Sequence, residues 1–151
     1  MRHFEDFPPG LTLEFGSKTV SEDEIVAFAR DFDPQLFHTD REAAAKSLYG
    51  GLIASGWHTV SMMMRMMVDD VLKDSAGLGS PGVDELRWLK PVRPGDTLHV
   101  RLHIVEAKRS QSRPDRGTVR ARMEVVNQSA QTVLTCVGIL MFGARRAGQE
   151  P

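Results

Sequence analysis

The sequence has little cysteine, little net charge and no long apolar run. Its one cysteine, Cys136, cannot form an internal disulfide, and the apolar run around it predicts a small buried side chain. A formal net charge of -1 excludes a general attraction to nucleic acid or anionic membranes. No segment is apolar enough to cross a bilayer or to serve as a secretory signal. We therefore expect a cytoplasmic protein without nucleic-acid or membrane partners.

The composition is that of one globular domain. Of the 151 residues, 41% are hydrophobic and 26% are charged, which suits a single hydrophobic core. No repeat, low-complexity tract or interdomain linker interrupts the chain. We expect one domain over residues 1–145 and a polar tail over residues 146–151.

The first predicted helix has clear start and stop signals. Ser21 is followed three residues later by Glu24, which is a capping box, and apolar residues follow at helical spacing. Pro34 disfavours a helical backbone at the preceding residue, so the helix is expected to end at about Phe32. This segment therefore predicts an amphipathic helix that ends at Asp33.

Two more helices are predicted before the strands. Thr39 and Glu42 form a second capping-box pattern and predict a short helix. Residues 55–74 predict one long, largely buried helix. Its methionine run, Met62 to Met67, is expected to fill the core, with an acyl-chain tunnel as the alternative. The predicted apolar side consists of Trp57, Val60, Met64, Met67, Val68 and Val71.

The second half of the chain alternates apolar and polar residues with the period of a strand. The predicted strands lie near residues 12–20, after Gly82, and over residues 97–107, 118–128 and 131–143. A turn at Pro94 and Gly95 separates the second strand from the third. The order predicts an α+β fold, in which a curved antiparallel sheet wraps around the long helix.

Asp33 and His38, in the stretch "DFDPQLFHTD", are candidates for proton transfer. The end of the first helix carries partial negative charge, which is expected to raise the pKa of Asp33 and suit it to act as a general base. Imidazole exchanges protons near neutral pH, and a turn after Pro34 would bring His38 to the aspartate. A solvated acidic loop is the alternative interpretation.

The start of the long helix offers a place for negative charge to develop. Free backbone N–H groups around Ser55, Gly56 and Trp57 can stabilise an oxyanion, and Gly56 leaves room for a ligand carbonyl. His58 is expected to be a hydrogen-bonded histidine near the pocket, and no metal site is assigned. A basic segment is expected to be solvated, with phosphate binding as the alternative; it contains Lys108, Arg109, Arg113 and Arg116.

The stretches "FARDFDPQLFHTD", "YGGLIASGWHT" and "LKPVRPGD" together resemble the MaoC-like dehydratases of the hotdog superfamily, which are related to R-specific enoyl-CoA hydratases. The resemblance covers most of the chain and implies the hotdog fold and a homodimer. Relatives commonly carry Asp, any residue, Asn, Pro, any residue, His. Asp33 and His38 keep that spacing, but the asparagine is absent; an alternative alignment makes Asp31 the acid. Ser55 is a second departure, since many relatives have histidine there.

The resemblance implies hydration of trans-2-enoyl-CoA thioesters, or dehydration of 3-hydroxyacyl-CoA thioesters, within fatty acid metabolism. Asp33 and His38 would hold one water between them, and the amides at Ser55, Gly56 and Trp57 would stabilise an enolate. Coenzyme A would enter as part of the substrate, without a metal or redox cofactor. Two alternatives are a hotdog acyl-CoA thioesterase and a catalytically silent subunit that binds acyl thioesters.

Overall fold

The computed structural model describes residues 1–145, so the expected polar tail, residues 146–151, lies outside the described residues. The helices are α1 (Glu22–Phe32), α2 (Leu36–Thr39), α3 (Arg41–Ala45) and α4 (Gly56–Met67). The strands are β1 (Thr12–Thr19), β2 (Gly82–Trp88), β3 (Thr97–Arg109), β4 (Arg116–Val126) and β5 (Thr132–Gly143). The order of elements confirms the predicted first strand, three of the helices and the four further strands, whereas α2 was not predicted.

The strands form one antiparallel sheet in the order β1-β3-β4-β5-β2. Alternation along β3 and β4 buries one face, as the period-2 pattern predicts. β5 has no exposed residue, in keeping with its nearly continuous apolar sequence. Cys136, in β5, is 2% exposed, and burial raises its pKa to about 11. The α+β class is therefore confirmed.

Helix α4 packs against the sheet through four methionines, Met62, Met63, Met66 and Met67, which belong to the core cluster. The approach is close at Gly16 in β1, whose φ is 80°. A Cβ atom on Gly16 would lie 2.4 Å from the Sδ atom of Met66. Core filling, rather than an acyl tunnel, accounts for these four side chains.

The predicted long helix differs from the observed one in length and orientation. Its α-helical part ends at Met67, and one π-helical turn, Val68–Leu72, continues it. Trp57, Met64 and Val68 were expected on the buried side but are 58%, 44% and 40% exposed. Apolar residues surround this helix, so hydrophobicity alone did not define the side that packs. In the described part of the chain, every helix is too short or too polar to span a membrane.

The first capping box is confirmed, and the second prediction is wrong by one residue. The Ser21 hydroxyl accepts from the Glu24 amide at 3.1 Å, and the Glu24 carboxylate accepts from the Ser21 amide at 2.8 Å. Helix α3 is instead capped by Asp40, whose carboxylate accepts from the Ala43 amide at 2.8 Å. Thr39 belongs to α2, where its hydroxyl donates to a backbone carbonyl of the preceding turn. A carboxylate therefore caps α3 where the hydroxyl was expected.

Candidate active site

Asp33 and His38 come together because Pro34 separates two helices. Asp33 caps the C-terminus of α1, where its amide donates to the Ala29 carbonyl at 2.8 Å. The chain then turns into the single-turn helix α2, which carries His38. The Nε2 atom of His38 lies 3.2 Å from Oδ2 of Asp33. The turn expected after Pro34 therefore produces a direct contact between the two side chains.

The orientation of the His38 ring is fixed by the backbone of another segment. Its Nδ1 atom lies 2.7 Å from the Ile53 carbonyl oxygen. A carbonyl oxygen can only accept, so the Nδ1 atom carries a proton and donates it. A carboxylate oxygen also only accepts, so the contact of Nε2 with Asp33 is a hydrogen bond when Nε2 carries a proton too. Nε2 is therefore the ring atom that faces the carboxylate, and His38 is only 4% exposed.

The Asp33 carboxylate accepts one further hydrogen bond at each oxygen. The Gln35 side-chain amide donates to Oδ1 at 2.8 Å, and the Ser55 hydroxyl donates to Oδ2 at 2.7 Å. Partial burial raises the pKa of Asp33, but these two donors and nearby His38 outweigh burial, so the pKa lies below its ordinary value. The expected rise in the pKa of Asp33 is therefore wrong.

Ser55 has a different contact from the one expected. It is fully buried, and its hydroxyl reaches back to Asp33 instead of capping α4. The predicted backbone donors at Gly56 and Trp57 do begin α4, where a helix leaves its first amides without intrahelical acceptors. Both residues line the same cleft as Asp33 and His38. The side-chain pair and the helix start therefore lie around one space.

An aromatic ring fills the space beside Gly56 that a side chain would otherwise occupy. A Cβ atom there would lie 2.5 Å from the indole of Trp88, so the space expected for a ligand carbonyl is taken at that point. Trp88 also meets Trp57 edge to face, with 5.4 Å between the ring centroids. The tryptophans thus form one wall beside the start of α4.

The cleft has a volume of about 550 Å³ and is open to solvent. Three further residues that line it were not predicted from the sequence: Gln35, Tyr49 and Ile53. The position of Gln35 inside the motif was a usable signal for a contact with Asp33. Ile53 contributes its backbone carbonyl, a group that every residue has, so the type of its side chain could not indicate the contact with His38.

Two other sequence predictions concern residues away from this cleft. His58 stacks on Phe28 with 4.6 Å between ring centroids, and burial lowers its pKa. The expected hydrogen bond is missing at Nδ1, which is buried without a partner within residues 1–145. In the basic segment, Arg109 pairs with Glu5 and Arg116 pairs with Asp115 on the surface. These arginines thus have partners within the protein.

A curved antiparallel sheet packed on a central helix is the arrangement of the hotdog fold, and here an aspartate–histidine pair lies at a cleft beside the helix start. The family model described as "MaoC like domain" matches residues 6–131, and the chain belongs to this family. The resemblance inferred from the motifs is thereby confirmed.

Known proteins support the same assignment. The chain is similar to the MaoC-like dehydratase from Rhodospirillum rubrum, with 40% identity, a TM-score of 0.89, and coverage of 95% of this chain and 98% of that chain. It is 29% identical over 109 residues to a 3-hydroxybutyryl-CoA dehydratase from Methylorubrum extorquens, covering 69% of this chain and 64% of that protein. A Mycobacterium tuberculosis protein described as a double hotdog fold aligns with a TM-score of 0.80 at 18% identity, over 99% of this chain and 46% of that one. The hotdog fold is thus shown.

Proposed function

We propose that this protein is a hydro-lyase that adds water to trans-2-enoyl-CoA thioesters and removes it from 3-hydroxyacyl-CoA thioesters. The observation that carries the proposal is the 3.2 Å contact between Asp33 Oδ2 and His38 Nε2, with the opposite ring nitrogen fixed on a carbonyl. This geometry supplies a carboxylate and a titratable nitrogen at one cleft. Membership of the MaoC-like family and the similarity to a 3-hydroxybutyryl-CoA dehydratase support the same reaction class.

The thioester carbonyl is proposed to bind at the start of α4. The amides of Gly56 and Trp57 lie at the first turn of this helix, whose N-terminus carries partial positive charge. When water attacks the β-carbon, the electrons of the double bond move toward the thioester oxygen. Amide donors aimed at that oxygen stabilise the resulting enolate. The amide of Ser55, at the N-cap of α4, is proposed as a further donor to the same oxygen, since the contact of Ser55 with Asp33 uses only its hydroxyl.

The proton steps are proposed for Asp33 and His38. A water that contacts both side chains from the cleft loses a proton to the Asp33 carboxylate as its oxygen bonds to the β-carbon. Nε2 of His38 gives its proton to the α-carbon, which converts the enolate to the saturated thioester, and the proton on Asp33 then returns to Nε2 across the 3.2 Å contact. Dehydration follows the same path in reverse. The path needs no metal or redox cofactor, and coenzyme A takes part only as a portion of the substrate.

We also propose that the protein is a homodimer joined along β2. This strand lies at the edge of the sheet, and its side chain Val83 is 46% exposed. An exposed edge strand is a template for pairing with another chain. Sedimentation of Val83→Glu should show dissociation, whereas Val105→Glu, which alters an exposed valine on the inner strand β3, should sediment as wild type. Equal behaviour of the two variants would contradict this arrangement.

Product analysis tests the reaction class. Wild-type protein is mixed with crotonyl-CoA and with longer trans-2-enoyl-CoAs, and loss of enoyl absorbance is followed together with release of free thiol. Hydration consumes the enoyl group without releasing thiol. Thiol release from a saturated acyl-CoA would instead indicate the thioesterase alternative. Ligand binding without turnover at any chain length would indicate the silent-subunit alternative.

A further inference from the structure

The Ser55 side chain has a specific contact at the centre of the site. Its hydroxyl donates to Oδ2 of Asp33 at 2.7 Å, the same oxygen that faces His38. Ser55 is 0% exposed, so water does not compete for this hydroxyl. A hydrogen bond to a charged group in such surroundings is stronger than one on the surface. The contact therefore constrains the carboxylate more than a solvated serine would.

The backbone of Ser55 makes a second connection. Its carbonyl accepts from the Thr59 amide at 3.1 Å, which starts the hydrogen-bonding of α4. Two of the amides proposed to bind the thioester, those of Gly56 and Trp57, follow it directly. Asp33 belongs to the end of α1, so the Ser55 hydroxyl links the end of one helix to the start of the other. One residue thus sets the distance between the carboxylate and the thioester-binding amides.

We propose that Ser55 is a positioning residue for the reaction, acting through Asp33. Its hydroxyl orients the carboxylate toward the cleft and keeps it in the ionised form that accepts a proton from water. The Gln35 amide holds the other carboxylate oxygen, so the two donors together prevent rotation of the Asp33 side chain. This role rests on the proposed hydration chemistry, whereas the hydrogen bond itself does not.

The variant Ser55→Ala removes the hydroxyl and leaves a smaller side chain that fits the buried position. We expect kcat to fall about tenfold, while KM changes less than about twofold, because a hydrogen bond to the charged reacting group is lost and substrate contacts remain. The acidic limb of the pH–rate profile should move to higher pH, because removing a donor to the carboxylate raises the Asp33 pKa. Ser55→Thr, which keeps a hydroxyl, should restore part of the rate.

Ser61→Ala is the matched control, because the Ser61 hydroxyl donates to the Trp57 carbonyl within α4 and its side chain is exposed. It should keep wild-type kcat and the wild-type pH profile. An unchanged acidic limb in a folded, active Ser55→Ala variant would overturn the inference while leaving the proposed function intact.

A titration that requires no substrate separates the two proposals. The Asp33 carboxyl carbon is followed by nuclear magnetic resonance from pH 7 downward in wild type and Ser55→Ala. If wild type is inert on every thioester, the proposed function fails, but a higher Asp33 pKa in the variant still supports the positioning contact. An identical Asp33 pKa in the two proteins would overturn that contact as well.

Discussion

Asp33 and His38 lie five positions apart in the chain and 3.2 Å apart in space, from Oδ2 to Nε2. Three contacts outside the pair hold this arrangement: the Ile53 carbonyl fixes the imidazole, and Gln35 and Ser55 fix the carboxylate. Each partner is therefore oriented before a substrate arrives. Such preorganisation is what proton transfer between positioned groups requires.

The two tryptophans should report on occupancy of the cleft. Trp57 and Trp88 are the only tryptophans in the sequence; they line the cleft, and are 58% and 46% exposed. Binding of butyryl-CoA, a saturated thioester, should remove water from both indoles and shift their emission to shorter wavelength. Trp57→Phe and Trp88→Phe separate the two contributions. Saturable binding by calorimetry without any change in emission would place the ligand elsewhere.

Gly16 should be difficult to replace because of its backbone and its neighbour. Gly16→Ala adds a Cβ at φ 80° and within 2.9 Å of the Met66 Cβ, which a rotation of the methionine side chain cannot move away. We expect a loss of about 2–4 kcal/mol in the free energy of unfolding, measured with urea.

Gly10→Ala is the control for Gly16, since Gly10 has φ 90° but no atom within 4 Å of the added Cβ. It should lose only about 1–2 kcal/mol, from backbone strain alone. Equal losses at the two glycines would show that the contact between β1 and α4 has no energetic importance.

The Glu24–Lys18 ion pair should make the free energy of unfolding depend on pH in the acidic range. The hydrogen bond from Lys18, followed by that from the Ser21 amide, lowers the Glu24 pKa from 4.5 to about 2. Because the pKa of Glu24 is lower in the folded protein than in the unfolded chain, its charge stabilises the folded state at pH values above about 4.5. This stabilisation disappears as the pH falls from about 4.5 to about 2. Glu24→Gln keeps a capping side chain but removes the charge.

At pH 7 we expect Glu24→Gln to cost less than about 1 kcal/mol, because the Glu24 side chain is 43% exposed and solvent screens the pair. The difference from wild type should shrink progressively below pH 4.5. Urea unfolding at several pH values measures it. A difference that stays constant down to pH 3 would mean that the charge of Glu24 does not contribute.

The sequence predicted those parts of the fold that depend on local signals. The capping box at Ser21 and the stop at Pro34 placed α1 correctly, because both act through neighbouring residues. Alternation placed the strands, since one face of each long strand is buried. On the long helix, Met67 and Val71 are buried as predicted, but Trp57, Met64 and Val68 are exposed, because apolar residues surround the helix and tertiary packing selects the face.

The site was predictable only in part. The motif predicted that Asp33 and His38 lie close together. The helix-start signals predicted that Gly56 and Trp57 lie at the beginning of α4. The hydroxyl of Ser55 reaches a residue 22 positions earlier, a pairing that depends on how α1 and α4 approach each other. The same long-range contact, with that of Gln35, reversed the expected direction of the Asp33 pKa shift. Local sequence could not reveal the Ser55 donor, whereas Gln35 lies only two positions from Asp33.

The most direct test is the rate of crotonyl-CoA hydration by wild type, Asp33→Asn, His38→Ala and Asp31→Asn. Asn at position 33 preserves the shape of the side chain but cannot accept the proton, and Asp31 is a nearby exposed carboxylate on the same helix. We expect losses of about 10²-fold or more at Asp33 and His38, and a rate within about twofold of wild type for Asp31→Asn. Turnover that survives in Asp33→Asn and disappears in Asp31→Asn would contradict the assignment of the proton-transfer pair.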